Sequence, residues 1–191
     1  MDNLIKFLHS VYPMSPVLED HLRSILKTKQ LKKKEFLLKA GTTCKNVYFV
    51  QQGLLRCYYL DDGNEICKWF MKEGDVVYSV RSFLRQTASN EYIQALENCE
   101  LYYITYNELQ DIYERFLEFN VQRGKLTENY YLMSDFREDL LRLKKSIDKY
   151  KCLLENYPEL LNRVPTQYMA SYIAVSHSTM FRLKSQIRRH R

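Results

Sequence analysis

Near its carboxy end the sequence gathers side chains suited to one task, hydrogen bonding to the edges and phosphates of a nucleic-acid duplex. Arg182 carries a planar fork of donors that matches guanine O6 and N7. His177 and Ser178 precede it by about one helical turn, and the three are the candidate base readers. Thr166, Thr179, Lys184, Arg188 and Arg189 are of the types that hold phosphates. No acidic residue follows Glu159, whereas Arg163, Arg182, Lys184, Arg188, Arg189 and Arg191 all do. Residues 137–191 carry 12 Lys or Arg against 5 Asp or Glu; residues 1–106 carry 14 against 12, and residues 107–136 carry 3 against 6. Positive charge confined to one terminus is an electrostatic footprint for a polyanion. A solvated basic tail has the same composition, so the pattern inside the segment must decide.

That pattern is a pair of short helices. Met169, Ile173, Val175, Met180 and Leu183 are apolar at helix-turn-helix spacing, and Ala170 is small where a second helix must cross closely. Ala174 falls in the turn, where Gly is more usual, and Ser176 stands where its hydroxyl can cap the second helix. The polar residues are left on the outward face of that helix, which suits entry into a major groove.

Other chemistries lack their residues. The five cysteines, Cys44, Cys57, Cys67, Cys99 and Cys152, are widely spaced without a CxxC, so reduced core residues are expected rather than a metal or iron–sulfur site. His9, His21, His177 and His190 all lie outside residues 31–104, which argues against a metal-dependent barrel enzyme. No nucleophile–base pair or Gly-rich phosphate loop occurs, so neither an enzyme nor a resident cofactor is expected. No apolar run is long enough to span a membrane, and the start lacks a secretory pattern. The expectation is a cytoplasmic protein with no membrane partner.

The positioning elements follow from periodicity. Leu4 to Leu26 is helical in period, split by Ser15-Pro16, an N-cap followed by Pro at the first helical position. From about Leu31 to Ile104, short runs rich in Val, Ile, Tyr and Phe alternate with turn signals at Gly41, Gly53, Asp61-Asp62-Gly63-Asn64 and Gly74. Strands of this length and spacing predict a small antiparallel barrel or jelly roll. Thr105 and Glu108 fit a capping box, opening a helix expected over 105–135. Its stripe of Leu109, Ile112, Phe116, Phe119, Leu126, Tyr130 and Met133 has coiled-coil period, interrupted by Arg123, and is the candidate dimer seam. An apolar face packed on the chain's own barrel is the alternative. Pro158 and Pro165 mark helix boundaries in the remainder.

With these features together, the chain resembles the Crp/Fnr superfamily of transcription regulators, the cyclic-AMP receptor protein-like proteins. The likeness rests on the glycine-punctuated roll, the long helix after Thr105, and the motif Val164-Pro165…Ile173-Ala174-Val175-Ser176-His177-Ser178-Thr179-Met180-Phe181-Arg182-Leu183. Ser146 to Tyr150 and Pro158 resemble the Bacteroidetes-type branch. The resemblance implies an α+β architecture: an N-terminal antiparallel cyclic-nucleotide-binding-like β-roll with a long dimerisation helix over residues 1–136, then an all-α helix-turn-helix domain over 137–191. It implies a homodimeric, sequence-specific regulator that binds double-stranded DNA, with RNA polymerase as a further partner. The alternative is a ligand-binding or protein-interaction module of the same fold without DNA binding.

The effector region departs from the family pattern. Its nucleotide-binding members carry Gly-Glu and then Arg-Ser/Thr-Ala around the cyclic phosphate. The corresponding places here are Tyr78-Ser79 and Ser89-Asn90-Glu91, so Ser89 replaces the phosphate-pairing Arg and Ser79 the ribose-holding Glu. Cyclic AMP in the usual mode is therefore not expected, and the effector pocket is assigned to Tyr78, Ser79, Ser89 and Asn90 with its ligand open. The chain stops soon after the second helix, so the usual wing hairpin is expected to be absent or minimal.

Overall fold

The structure is a computed structural model; it describes residues 1–188, the side chains of 187 and 188 excepted. Two short helices open the chain, α1 (Asp2–Val11) and α2 (Pro16–Ile25). As the Ser-Pro pair predicts, Ser15 caps α2, its Oγ accepting from Leu18 N–H, and Pro16 takes the first helical position.

Eight strands follow: β1 (Lys27–Leu31), β2 (Phe36–Leu38), β3 (Asn46–Gln52), β4 (Leu55–Asp61), β5 (Asn64–Met71), β6 (Val76–Val77), β7 (Glu91–Ala95) and β8 (Cys99–Thr105), with helix α3 (Val80–Arg85) between β6 and β7. They form two four-stranded sheets, ordered β1-β8-β3-β6 and β2-β7-β4-β5. The pairing is antiparallel, with β1, β3 and β8 in long register such as Leu31↔Cys99 and Val47↔Ile104. Two glycines are dictated by geometry. Gly63 (φ +79) with Asp62 (φ +46) makes the two-residue turn joining β4 to β5, a turn that requires positive φ at both places. Gly53 (φ +108) leaves no room for a Cβ, which would lie 2.6 Å from both Asn98 O and Cys99 Sγ.

The helix after the roll is not continuous. The capping box forms, with Thr105 Oγ1 accepting from Glu108 N–H and Glu108 Oε2 accepting from Thr105 N–H at 2.8 Å. Helix α4 (Tyr106–Arg115) then ends at Phe116, whose backbone is extended (φ −126, ψ 94), and α5 (Leu117–Arg142) begins. The expected single helix over 105–135 is thus two helices, and the second runs past the expected domain junction. The remaining helices are α6 (Ser146–Asn156), α7 (Pro158–Arg163), α8 (Thr166–Tyr172) and α9 (His177–Arg188).

The chain divides into two compact units. One unit is Met1–Cys57 with Phe70–Asn129; the other is Tyr58–Trp69 with Tyr130–Arg191. The first unit buries Leu18, Val50, Leu54, Leu55, Ile93, Leu101 and Ile112. Gln122, also buried, donates to Leu8 O at 3.1 Å and Tyr12 O at 2.8 Å, closing the carbonyl end of α1. The second unit buries Leu140, Leu153, Leu161, Met169, Ile173 and Met180. It includes the tip of the β4–β5 hairpin because β5 is an edge strand. Its outward backbone groups at Glu65 and Cys67 find partners on α8 instead of another strand.

Candidate nucleic-acid interface

The motif at 166–185 folds as a helix-turn-helix: α8, a turn over 173–176, and α9. Met169, Ala170, Ile173, Met180 and Leu183 are buried at its crossing, and Val175 is half-buried. Val175 N–H donates to Ala170 O and Ala174 N–H to Ser171 O, while Ala174 takes the left-handed conformation at φ +52. Lys149, a buried lysine of α6, sends its Nζ to Ile173 O at 3.1 Å and so closes the carbonyl end of α8. Ser176 caps α9, its Oγ accepting from Thr179 N–H at 3.1 Å.

The three candidate base readers, His177, Ser178 and Arg182, are exposed along α9. Thr166 begins α8 and is half-buried. Thr179 is half-buried and its hydroxyl accepts from Ser176 Oγ at 2.8 Å. Lys184 is not extended toward solvent: its Nζ donates to Leu161 O at 3.2 Å at the end of α7. That carbonyl belongs to a helix terminus and attracts a cation, so the amine is held inside the unit. Arg188 closes α9 with its side chain outside the described residues, and Arg189 lies outside them altogether. Sequence reading passed over Phe181, which sits between Ser178 and Arg182 with 64% of its surface exposed.

Two features of this unit were not legible as motif residues. Ser171 Oγ on α8 donates to Glu65 O and accepts from Cys67 N–H, both at 2.9 Å. Arg137 Nη2 donates to Cys67 O and Tyr172 O, each at 3.2 Å, with its guanidinium 4.7 Å from the Tyr172 ring centroid. Burial pushes the Tyr172 phenol up to about 12, only partly offset by the nearby Arg137 charge.

In the roll, two of the four assigned effector residues, Ser79 and Ser89, form a polar cluster with a carboxylate, whereas Tyr78 and Asn90 stand outside it. Ser79, Ser89 and Glu91 are buried. Ser79 Oγ donates to Glu91 Oε2 at 2.6 Å and lies 3.2 Å from Ser89 Oγ. Ser89 Oγ accepts from Glu91 N–H at 2.9 Å. Tyr78 is half-buried against Phe83, with ring centroids 5.1 Å apart and its phenol pushed up by burial, while Asn90 is exposed. Arg56, missed by sequence reading, is buried in β4, with Nε and Nη2 donating to Gln94 Oε1 at 3.0 and 2.7 Å.

The dimer-seam stripe divides. Leu109, Ile112 and Phe119 are buried within their own unit, the alternative that the spacing leaves open. Phe116, at the helix break, is half-buried with its ring 5.4 Å from that of His21. Leu126, Tyr130 and Met133 are half-buried. The apolar side chains that α5 exposes are Leu117 at 81%, Val121 at 41%, Tyr131 and Leu132. The break at Phe116 resets the helix phase, so a stripe read through it mixes core positions with surface ones.

Four of the five cysteines are buried, Cys152 is half-buried, and all are free thiols; burial pushes the thiols of Cys44, Cys99 and Cys152 up. No described helix is long and apolar enough to cross a membrane. Among the described residues no group of three or more His, Cys, Asp or Glu could hold a metal ion.

Comparison with known proteins matches residues 28–116 to the cyclic nucleotide-binding domain. No curated protein matches the sequence. Among solved structures, the chain is similar to a protein from Eubacterium rectale assigned to the Crp/Fnr family of transcriptional regulators. The TM-score is 0.73 at 15% identity, covering 95% of this chain and 88% of that one. It is similar to CLP, the c-di-GMP-responsive global regulator of Xanthomonas campestris, with TM-score 0.70 at 16% identity, covering 92% and 93%. It is also similar to FixK2 of Bradyrhizobium japonicum, with TM-score 0.69 at 17% identity, covering 87% and 86%. Residues 28–116 therefore match the cyclic nucleotide-binding domain, and the chain as a whole shares its fold with solved structures that include the Crp/Fnr-family protein from Eubacterium rectale.

Proposed function

We propose that this chain is a sequence-specific DNA-binding transcriptional regulator that acts as a homodimer and does not take cyclic AMP in the usual way. The observation that carries the reading is the exposed row His177, Ser178 and Arg182 on the second helix of a tightly packed helix-turn-helix, in a segment without acid after Glu159. Such a helix reads base edges in the major groove while neighbouring cations hold phosphates. The similar structures from Eubacterium rectale, a transcriptional regulator of the Crp/Fnr family, and Xanthomonas campestris, a global regulator of gene expression, support the same assignment.

Two chains pair through the row that α5 exposes, Leu117 and Val121, continuing along the helix to Tyr131. These residues follow 4-3-4-3 spacing with Gly124 and Glu128 between them, the period of a two-helix seam. Pairing sets two recognition helices on half-sites about 34 Å apart, so the operator is an imperfect palindrome. RNA polymerase is the partner through which a DNA-bound regulator of this kind would act.

The cluster of Ser79, Ser89 and Glu91 supports the absence of the usual cyclic-nucleotide mode. The Ser79 hydroxyl already donates to the buried Glu91 carboxylate and Ser89 Oγ is taken up by Ser79 and the Glu91 backbone, and a cyclic phosphate placed there would meet like charge in a low-dielectric surround.

Genomic-fragment selection followed by footprinting at two salt concentrations tests the reading, with and without cyclic AMP and cyclic di-GMP. Recovery of palindromic sites is expected. Their affinity falls with salt at a log–log slope of about −0.9 per neutralised phosphate. Arg182→Ala should cost roughly 1–3 kcal/mol and relax preference at one base pair per half-site. An unchanged footprint and affinity in that variant would remove Arg182 from the reading role. Salt-independent or absent DNA binding leaves the protein-interaction reading in its place.

A further inference from the structure

The recognition helix carries one residue that neither its packing nor its charge explains. Phe181 lies three residues after Ser178, four after His177 and one before Arg182, so it stands in the same outward row. Met180 and Leu183, on the opposite side, are buried at the helix crossing, whereas Phe181 leaves 64% of its surface in solvent. No ring contact holds it among the described residues, and its backbone oxygen merely accepts from Ser185 Oγ at 3.1 Å. The helix would pack equally well with a small polar residue there.

We propose that Phe181 is a specificity-determining residue that reads the 5-methyl group of a thymine in each half-site. The inference rests on the DNA-binding reading above and names what one more residue of that face recognises. A phenyl group has no donor or acceptor to offer a base edge. Placed in the major groove it meets base edges, not stacked faces, and the apolar group displayed there is the thymine methyl. Its neighbours fix the register: Ser178 and His177 precede it by one turn toward the helix start, and Arg182 flanks it. The thymine therefore adjoins the guanine that Arg182 pairs with. The acid-free segment selects a nucleic acid over an apolar protein groove as the surface that covers the ring.

The test uses the full chain and the operator recovered by selection. Each thymine is replaced in turn by deoxyuridine, which removes the methyl and keeps the hydrogen-bonding edge. Burial of one methyl is worth about fourfold in affinity. The expected result is one thymine per half-site at which this replacement weakens wild-type binding about fourfold, and about fifteenfold when both half-sites are changed. Phe181→Ala should be weaker on the natural operator and indifferent to the same replacement. His177→Ala should keep the sensitivity. The exposed position makes folding of Phe181→Ala secure, and an unshifted melting temperature checks it. Equal sensitivity of wild type and Phe181→Ala at every thymine, or none in either, overturns the proposal while leaving DNA binding intact. Failure to recover any operator overturns both.

Discussion

Ser171→Ala isolates the contact between the β4–β5 hairpin and the first helix of the helix-turn-helix. The hydroxyl makes two hydrogen bonds of 2.9 Å, donating to Glu65 O and accepting from Cys67 N–H, and both partners lie in the same compact unit. Each such bond contributes about 1 kcal/mol net, and a fully buried residue such as Cys67 magnifies the loss because water cannot take over as acceptor. Alanine returns part of this through its higher helix propensity, roughly 0.5 kcal/mol. The net destabilisation is therefore about 1.5–2 kcal/mol. In a unit of this size that lowers the melting transition by roughly 6–16 °C, measured by calorimetry. Hydrogen exchange gives a local readout, with protection of the Cys67 amide falling between about tenfold and thirtyfold. Ser185→Ala is the control, since that hydroxyl bonds only within its own helix, to Phe181 O. If Ser171→Ala moves the transition no further than Ser185→Ala and leaves the Cys67 amide as protected as before, the hairpin does not anchor the helix and the reasoning fails.

Three further outcomes follow from the same geometry. Ala174→Gly should stabilise the protein by about 0.5–1 kcal/mol in denaturant unfolding, because relief of the left-handed backbone at φ +52 outweighs the added freedom of the unfolded chain. Alkali should destabilise it: the buried Tyr172 phenol titrates at about 12 against an ordinary 10. The folded state holds that proton after the unfolded state has lost it, so the contribution is complete below about pH 10 and fades toward about pH 12, removing up to about 3 kcal/mol. Unfolding midpoints measured across that window check the sign: wild type should lose more stability than Tyr172→Phe, in which Tyr113, likewise pushed up to about 12 by burial, still contributes. Leu117→Glu with Val121→Glu should yield monomers in sedimentation without loss of helical signal, since both side chains are exposed in the single chain; a persistent dimer would place the seam elsewhere.

The features legible in the sequence are those that depend on neighbours close along the chain. The Ser15-Pro16 cap, the Thr105–Glu108 capping box, the Asp62-Gly63 turn and the apolar lock of the helix-turn-helix each need only residues a few positions apart. What escaped depends on distant contacts. Strand β1, Lys27 to Leu31, reads as polar because it is an edge strand paired only with β8, where lysines are common. No Gly or Pro marks the break at Phe116; Phe119 beyond it packs back into the core, with its ring 5.8 Å from that of Tyr113. Lys184 reads as a free cation, yet a carbonyl 23 residues earlier in the chain claims it. Phe181 was hidden by its type, since an aromatic in a helical stretch is ordinarily counted toward the core.

Because the hairpin tip is grouped with the carboxy-terminal helices, the polypeptide passes between the two units three times, after Cys57, after Trp69 and after Asn129. A protease nick near residue 129 would therefore sever one tether and leave two. A fragment begun at residue 137 would abandon its clamp, with the Ser171 hydroxyl stripped of both backbone partners. The stretch from Tyr58 to Trp69 thus leaves the first unit and returns to it as one hairpin, so the carboxy-terminal helices are not a separable tail but share their compact unit with a piece of the roll's own sheet.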